Sequence, residues 1–264
     1  MFLQACKVQV RVVHALVFRE LRTRFGRQQL GYIWAFLEPM LFVAVLSVVY
    51  TIGFKGRAVD VPVILFLVTG IVPFFLFRQT FTRAVGAILS NRPLLTFPQV
   101  TPLDLVIGRS VLEALTMVIV FVVVVVAYAV FGGDPVRIEN AVGVVYCICA
   151  MSLIGFGAGA FVGSFSIMFP SIERMIPALV NRPLFYTSGM FFTLEMMPEP
   201  VIPYLLYNPL LHAIELLRGY FFVEMSSRYA DHGYLNWAVL IALFLGLLAQ
   251  RALRKKILTT AQTV

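Results

Sequence analysis

The side chains that could perform nucleophilic, acid–base or metal chemistry are few in this chain, and they do not gather. Its three histidines, His14, His212 and His232, are scattered and show no metal-ligand spacing. Cys147 and Cys149 stand two apart in an apolar run, so on a helix they do not share a face; with Cys6 they read as reduced structural thiols. The only lysines are Lys7, Lys55, Lys255 and Lys256, and none follows a glycine, so no phosphate-cradling loop is present. Glycines at 155, 157 and 159 imitate a dinucleotide fingerprint but lack its strand–turn–helix context. Gly155, Gly159 and Gly163 instead have the small-xxx-small spacing that admits a second helix backbone. The expectation is no catalytic residue, no metal and no cofactor held by this chain.

What remains is charge and aromaticity in unusual places. Glu38 directly precedes Pro39, a short way into an apolar run. An ionisable group at membrane depth is costly unless it faces protein or water, so an arginine such as Arg83 or Arg109 is expected beside it; the alternative is a shallow, headgroup-level position. Glu215 and Arg218, three apart, suit pairing on one helical face. Aromatic residues cluster at Phe74, Phe75, Phe77 and Phe81, at Phe185, Tyr186, Phe191 and Phe192, and at Tyr204, Tyr207 and Tyr220. Most suit a core or an interfacial belt; others suit a path along which rings stack on sugar C–H faces.

The elements that must position these residues are helices in lipid. The chain is 60% apolar and 13% charged, against roughly 45–50% and about 25% in soluble domains. Its apolar runs predict six spans, at about 33–54, 61–77, 106–131, 142–169, 176–197 and 235–253. The second span is expected to continue as a more polar helix through Arg78 and Arg83. Residues 90–104 are punctuated by Pro93, Pro98 and Pro102 and are not membrane-like. Before the spans, Val10, Val13, Val17, Leu21 and Phe25 form one helical stripe, suiting a helix in the headgroup plane or one packed on a partner. Residues 198–224 are too apolar for a solvated loop and too rich in proline for one span. Two short re-entrant half-helices at the outer face, turning at Asn208 and Pro209, fit best, with a surface-lying loop as the alternative. The expected fold is therefore an all-α membrane protein. An amphipathic interface helix (1–30) precedes a six-span transmembrane domain (31–264) whose last span follows the two half-helices, making one domain overall.

The net charge of +8 would suggest nucleic acid in a soluble protein, but here it follows topology. With the N-terminus inside, the inner side holds Lys7, Arg11, Arg19, Arg22, Arg24, Arg27, Arg78, Arg83, Arg92, Arg109, Arg174, Arg182, Arg251, Arg254, Lys255 and Lys256. Only Lys55, Arg57, Arg137, Arg218 and Arg228 fall outside. Both termini are thus expected in the cytoplasm, with no nucleic-acid partner and no cleaved signal peptide.

In order, Arg19-Glu20, Arg22-Thr23-Arg24, Leu30-Gly31, Trp34 and Glu38-Pro39 form an Arg-Glu…Arg…Leu-Gly-x-x-Trp-x-x-x-Glu-Pro pattern. It resembles the start of the type-2 ABC exporter permeases, in their capsular-polysaccharide (KpsM-like) branch. Phe169-Pro170-Ser171-Ile172-Glu173-Arg174, Ser188-Gly189-Met190-Phe191-Phe192 and Asn208-Pro209-Leu210…Glu215…Arg218 are similar to later parts of the same group. The likeness spans essentially the whole chain.

The resemblance implies a homodimeric permease served by two copies of a separate ATPase, which carries the ATP and Mg. It implies a lipid-linked acidic polysaccharide as cargo, and a periplasmic co-polymerase and outer-membrane channel as further partners. Beside these implications, the charge and aromatic readings make Arg22, Arg24, Arg27, Trp34, Glu38, Arg83, Phe74, Tyr186, Phe191 and Phe192 the candidate path residues. Coupling to the ATPase would fall to Arg92, Pro93, Gln99, Pro102, Asp104, Glu173 and Arg174. The periplasmic gate would comprise Tyr204, Tyr207, Asn208, Pro209, Glu215 and Arg218. An O-antigen or teichoic-acid-type polymer is the nearest alternative cargo, then a drug or lipid. A secondary transporter would instead want midplane carboxylates or histidines and internal repeats.

Overall fold

The computed structural model describes the backbone of residues 2–27, 29–53, 61–132, 136–225 and 228–262. Side chains are described for 7–22, 37–53, 61–132, 136–225 and 228–260. The helices are α1 (Phe2–Arg27), α2 (Gln29–Gly53), α3 (Val63–Ser90), α4 (Pro102–Phe131), α5 (Ala141–Ser166), α6 (Ser171–Thr187), α7 (Ile202–Leu205), α8 (Pro209–Phe221) and α9 (His232–Gln262). Short 3-10 turns lie at Arg92–Thr96 and Leu194–Met196, and no strand occurs among the described residues.

α3 is the axis of the fold. It is buried at every position from Leu65 to Phe77, and α2, α4, α5, α6 and α8 all pack against it. A helix apolar all round must be covered by neighbours or by lipid, and in α3 the neighbours do it. α4 and α9 lie at the periphery and expose Leu115, Val122 and Val126, and Leu240, Phe244 and Leu248. So large an apolar surface is tolerated only in lipid. α3, α4, α5 and α9 are each long and apolar enough to cross a membrane, and this is a multi-pass membrane protein.

Glycines set the closest approaches. A Cβ on Gly159 would stand 2.5 Å from the Ala84 Cβ and 2.8 Å from the Phe81 carbonyl oxygen, and one on Gly163 would stand 2.9 Å from the Ala84 carbonyl oxygen. With Gly155 on the same stripe, α5 lies backbone to backbone on α3. Gly157, on the opposite face, meets α9 at Ala242 and Gly246 in the same way.

Two expectations need correction. The fifth span does not run unbroken from 176 to 197: α6 ends at Thr187 and the chain turns at Gly189 (φ 69°), a left-handed conformation that favours glycine. The carbonyls beyond this turn bond to a buried arginine rather than to a helix. The two half-helices are also unequal. α7 is a single turn, whereas α8 has 13 residues and a largely buried surface. On α1, Val10 is 69% exposed while Val13 and Val17 are partly covered.

Candidate functional site

At one end of the bundle, α1 is tied across α3 and α4. Thr101 and Asp104 form a capping box that opens α4: the Asp104 N–H donates to Thr101 Oγ1 (3.3 Å), and the Thr101 N–H donates to Asp104 Oδ2 (2.8 Å). Gln9 Nε2 donates to the other oxygen, Asp104 Oδ1 (2.5 Å). Arg19 donates to Asn91 Oδ1. Glu20 pairs with Arg109 at 3.4 Å, and Arg109 also donates to Ser90 Oγ and the Gly86 carbonyl. Gly108 permits the crossing, since a Cβ there would stand 3.3 Å from that of Leu16.

Two more ion pairs branch from α3. Arg78 reaches α2 and pairs with Glu38 at 2.5 Å, its guanidinium 4.1 Å above the Phe75 ring. Arg83 reaches α4 and pairs with buried Glu113 at 3.3 Å, its own side chain half exposed. The two cations keep partial access to solvent, while α3 holds them a little over one helical turn apart.

The connection from α3 to α4 is fixed at its root and bare at its tip. Arg92 donates to the Ile167 carbonyl (3.3 Å), which ties this connection to the one between α5 and α6. Each of the tied loops carries an exposed phenylalanine, Phe97 at 59% and Phe169 at 61%. Pro93, Gln99 and Arg174 are exposed nearby. Glu173 turns inward, its Oε1 only 2.5 Å from where a Cβ on Gly86 would lie.

At the other end, Arg218 is 1% exposed. Its guanidinium donates to the carbonyls of Gly189 (2.7 Å), Phe192 (2.9 Å) and Met190 (3.0 Å), and lies 3.9 Å over the Phe66 ring. Glu215 pairs with it at 4.0 Å and accepts the Leu194 N–H at 3.2 Å. Gly70 leaves the room, because a Cβ there would stand 2.6 Å from the guanidinium. Asn208 caps α8 through the Leu210 N–H and donates to Thr187 Oγ1 and Ser188 Oγ, so the end of α6 and the start of α8 share one cap. Tyr50 of α2 closes the turn by donating to the Phe191 carbonyl.

This arrangement is one of mechanical support: two chain crossings clamped by charge, with exposed aromatic residues at each end. The sequence profile of the ABC-2 type transporter family matches residues 11–222. The chain belongs to the ABC-2 type transporter family. It is 33% identical over 254 residues to the polysialic acid transport protein KpsM of Escherichia coli, covering 96% of this chain and 98% of that one. It is 30% identical to the capsule polysaccharide export inner-membrane protein CtrC of Neisseria meningitidis serogroup B, covering 93% and 92%. A more distant relative, the O-antigen export system permease protein RfbA of Klebsiella pneumoniae, is 25% identical over 77% of both chains.

In this ABC-2 chain the anticipated site residues separate into different settings. Glu38 does meet an arginine, but that arginine is Arg78; Arg83 and Arg109 belong to Glu113 and Glu20. Phe74 is fully buried among Phe75, Phe77 and Phe185, so it is core rather than path lining. Tyr186 is 70% exposed, with Phe191 and Phe192 partly covered. Arg22 is exposed, while the side chains of Arg24, Arg27 and Trp34 lie outside the described residues. Asp104 is 1% exposed and Pro102 is buried, so both open α4 and neither is offered to a partner. Tyr204 and Tyr207 stand 78% and 77% exposed beside buried Asn208 and partly covered Pro209. Sequence reasoning passed over Arg78 as a partner, Gln9, Glu113 and the exposed Phe97. Only the Asp104 cap had a local signature, Thr-x-x-Asp before an apolar run.

Proposed function

We propose that this chain is the membrane subunit of an ABC exporter that carries lipid-linked capsular polysaccharide across the bacterial inner membrane. The observation that carries this reading is the near full-length similarity to capsule export permeases. In it α2, α3, α4, α5, α6 and α9 are the six spans, α7 and α8 are re-entrant at the periplasmic face, and both termini are cytoplasmic. Two copies of the chain form the path, and two copies of a separate subunit bind and hydrolyse ATP with Mg. A periplasmic co-polymerase and an outer-membrane channel continue the route.

The α3–α4 end is then the cytoplasmic end. Its positive-inside charge supports that assignment. An anionic polymer and its lipid headgroup are gathered by exposed and half-exposed arginines such as Arg22 and Arg83. Phe97 and Phe169 seat in the ATPase, and Arg92 makes their two loops move together, so closure of the ATPase dimer tilts α3 through α6 as rigid bodies.

The test is deletion of the gene in its host. Lipid-linked polymer accumulating in the cytoplasm, a bare surface, and reversal of both by a plasmid copy are expected. The similarity to an O-antigen permease supports a second reading. Loss of surface O-antigen with an intact capsule would favour it and overturn the first.

A further inference from the structure

A cavity of about 380 Å³ lies between the start of α4 and the second half of α9. It is walled by Gln9, Thr101, Leu103, Gln250, Arg251 and Arg254, with Leu247 at its edge. That volume falls in the range of small-ligand sites, about 300–1,000 Å³. Of the residues already assigned a role, Pro102, named above for coupling, also lines it, and none of the path or gate residues does.

Its chemistry is specific. On α9, Leu247, Gln250, Arg251 and Arg254 are spaced three, four and seven apart, so they share one face. The exposed apolar surface of α9 at Leu240, Phe244 and Leu247 gives way there to two guanidinium groups within one turn. This is the change a membrane helix shows at headgroup level. Among the described residues neither arginine pairs with a carboxylate. The nearby Asp104 carboxylate is already taken by Thr101 and Gln9.

The second observation is Gln250. It is only 5% exposed, its Nε2 donates to the Ala160 carbonyl at 3.3 Å, and its Oε1 finds no donor among the described residues. A buried acceptor left unpaired is costly, so a group that brings a donor to it is favoured. The cavity therefore combines an anion-binding pair of arginines and an apolar approach from the bilayer, with the unpaired Gln250 acceptor just beneath its surface.

We propose that this cavity holds a resident anionic glycerophospholipid. Its phosphate lies on Arg251 and Arg254, a headgroup hydroxyl donates to Gln250 Oε1 once that amide turns toward the cavity, and its acyl chains follow the apolar face of α9. The lipid would brace α9 against the α1–α4 clamp. The assignment rests on the membrane reading of the chain and not on the identity of the cargo.

Native mass spectrometry of the full chain with its ATPase partner, challenged with phosphatidylglycerol or phosphatidylcholine, tests this. Wild type is expected to keep phosphatidylglycerol through a delipidating wash and to release phosphatidylcholine. Arg251→Gln with Arg254→Gln should lower phosphatidylglycerol retention by roughly tenfold or more. Gln250→Leu should shrink the preference for phosphatidylglycerol without abolishing it. Lys255→Gln with Lys256→Gln removes the same charge one step away and should leave retention intact. All variants should elute as the same monodisperse complex, and Arg251→Lys with Arg254→Lys should restore part of the retention. Equal retention of the two lipids by wild type would overturn the proposal, as would equal losses in the arginine and lysine variants. Lipid found only on protein from cells that make the polymer would also overturn it, because the occupant would then be the cargo's anchor.

Discussion

The two ends of the molecule use the same ionic chemistry under opposite conditions. At the α6–α8 end, Arg218 and Glu215 are almost wholly buried, and each satisfies backbone groups of the 189–194 turn. At the α3–α4 end, Arg78 and Glu38 keep 25% and 29% of their side-chain surface, and Arg83 keeps half. A buried pair whose partners also hold backbone groups acts as a lock, because removing either ion leaves an uncompensated charge. A pair still touched by solvent contributes little to stability and is free to exchange partners. One end is therefore held in a fixed shape, while the other keeps Arg78, Glu38 and Arg83 within reach of solvent.

Breaking the lock should give the largest effect. Arg218→Met leaves Glu215 buried without its cation and strips three carbonyls of their donor. A loss of about 3–5 kcal/mol is expected, read as failure to accumulate folded protein in the membrane. Glu215→Gln keeps an acceptor for the Leu194 N–H and should be the milder variant; equal severity of the two would contradict the lock.

Next in size is the seam that carries the two ends. Gly159→Ala drives a methyl against Ala84 and the Phe81 carbonyl. Overpacking of this kind costs about 1–3 kcal/mol, measurable as a lowered Tm in detergent. Gly53 has open space around it, so Gly53→Ala should leave Tm unmoved.

Some of this was legible in the sequence and some was not. The glycine stripe, the Glu215–Arg218 pairing and the turn at Asn208–Pro209 could be read because their signals are local, set by helix periodicity or by a cap. The partner of Glu38 could not. Which of Arg78, Arg83 and Arg109 meets it depends on how α2 and α3 register, and neither helix encodes that alone. The break of the fifth span at Gly189 was hidden for the same reason. The donor that satisfies its carbonyls lies 29 residues further along the chain. Phe74 misled because an aromatic cluster has the same composition in a core as along a path.

Glu38→Gln addresses the exchangeable end. Arg78 keeps its place over Phe75, so stability should fall by no more than about 1 kcal/mol, while surface polymer falls several-fold at matched protein level. Unchanged surface polymer would make the Glu38–Arg78 pair a structural tie like its buried counterpart.

The smallest effect on stability, and the sharpest on function, is expected from Phe97→Asp with Phe169→Asp. Both rings are exposed and pack in no core, so the fold should be unaffected, whereas ATPase co-purification should be lost. Asp104 is unsuited to this test, since replacing it removes the N3 half of the capping box that opens α4, a loss of about 1 kcal/mol, as well as the tie to Gln9.

The most direct measurement is to express wild type and the Phe97→Asp/Phe169→Asp variant in the deletion host at equal membrane levels, and to measure surface and cytoplasmic lipid-linked polymer. Wild type should return polymer to the surface, while the variant leaves it inside. A variant that restores the surface coat as well as wild type would contradict the claim that the α3–α4 end is where ATP-driven motion enters this exporter.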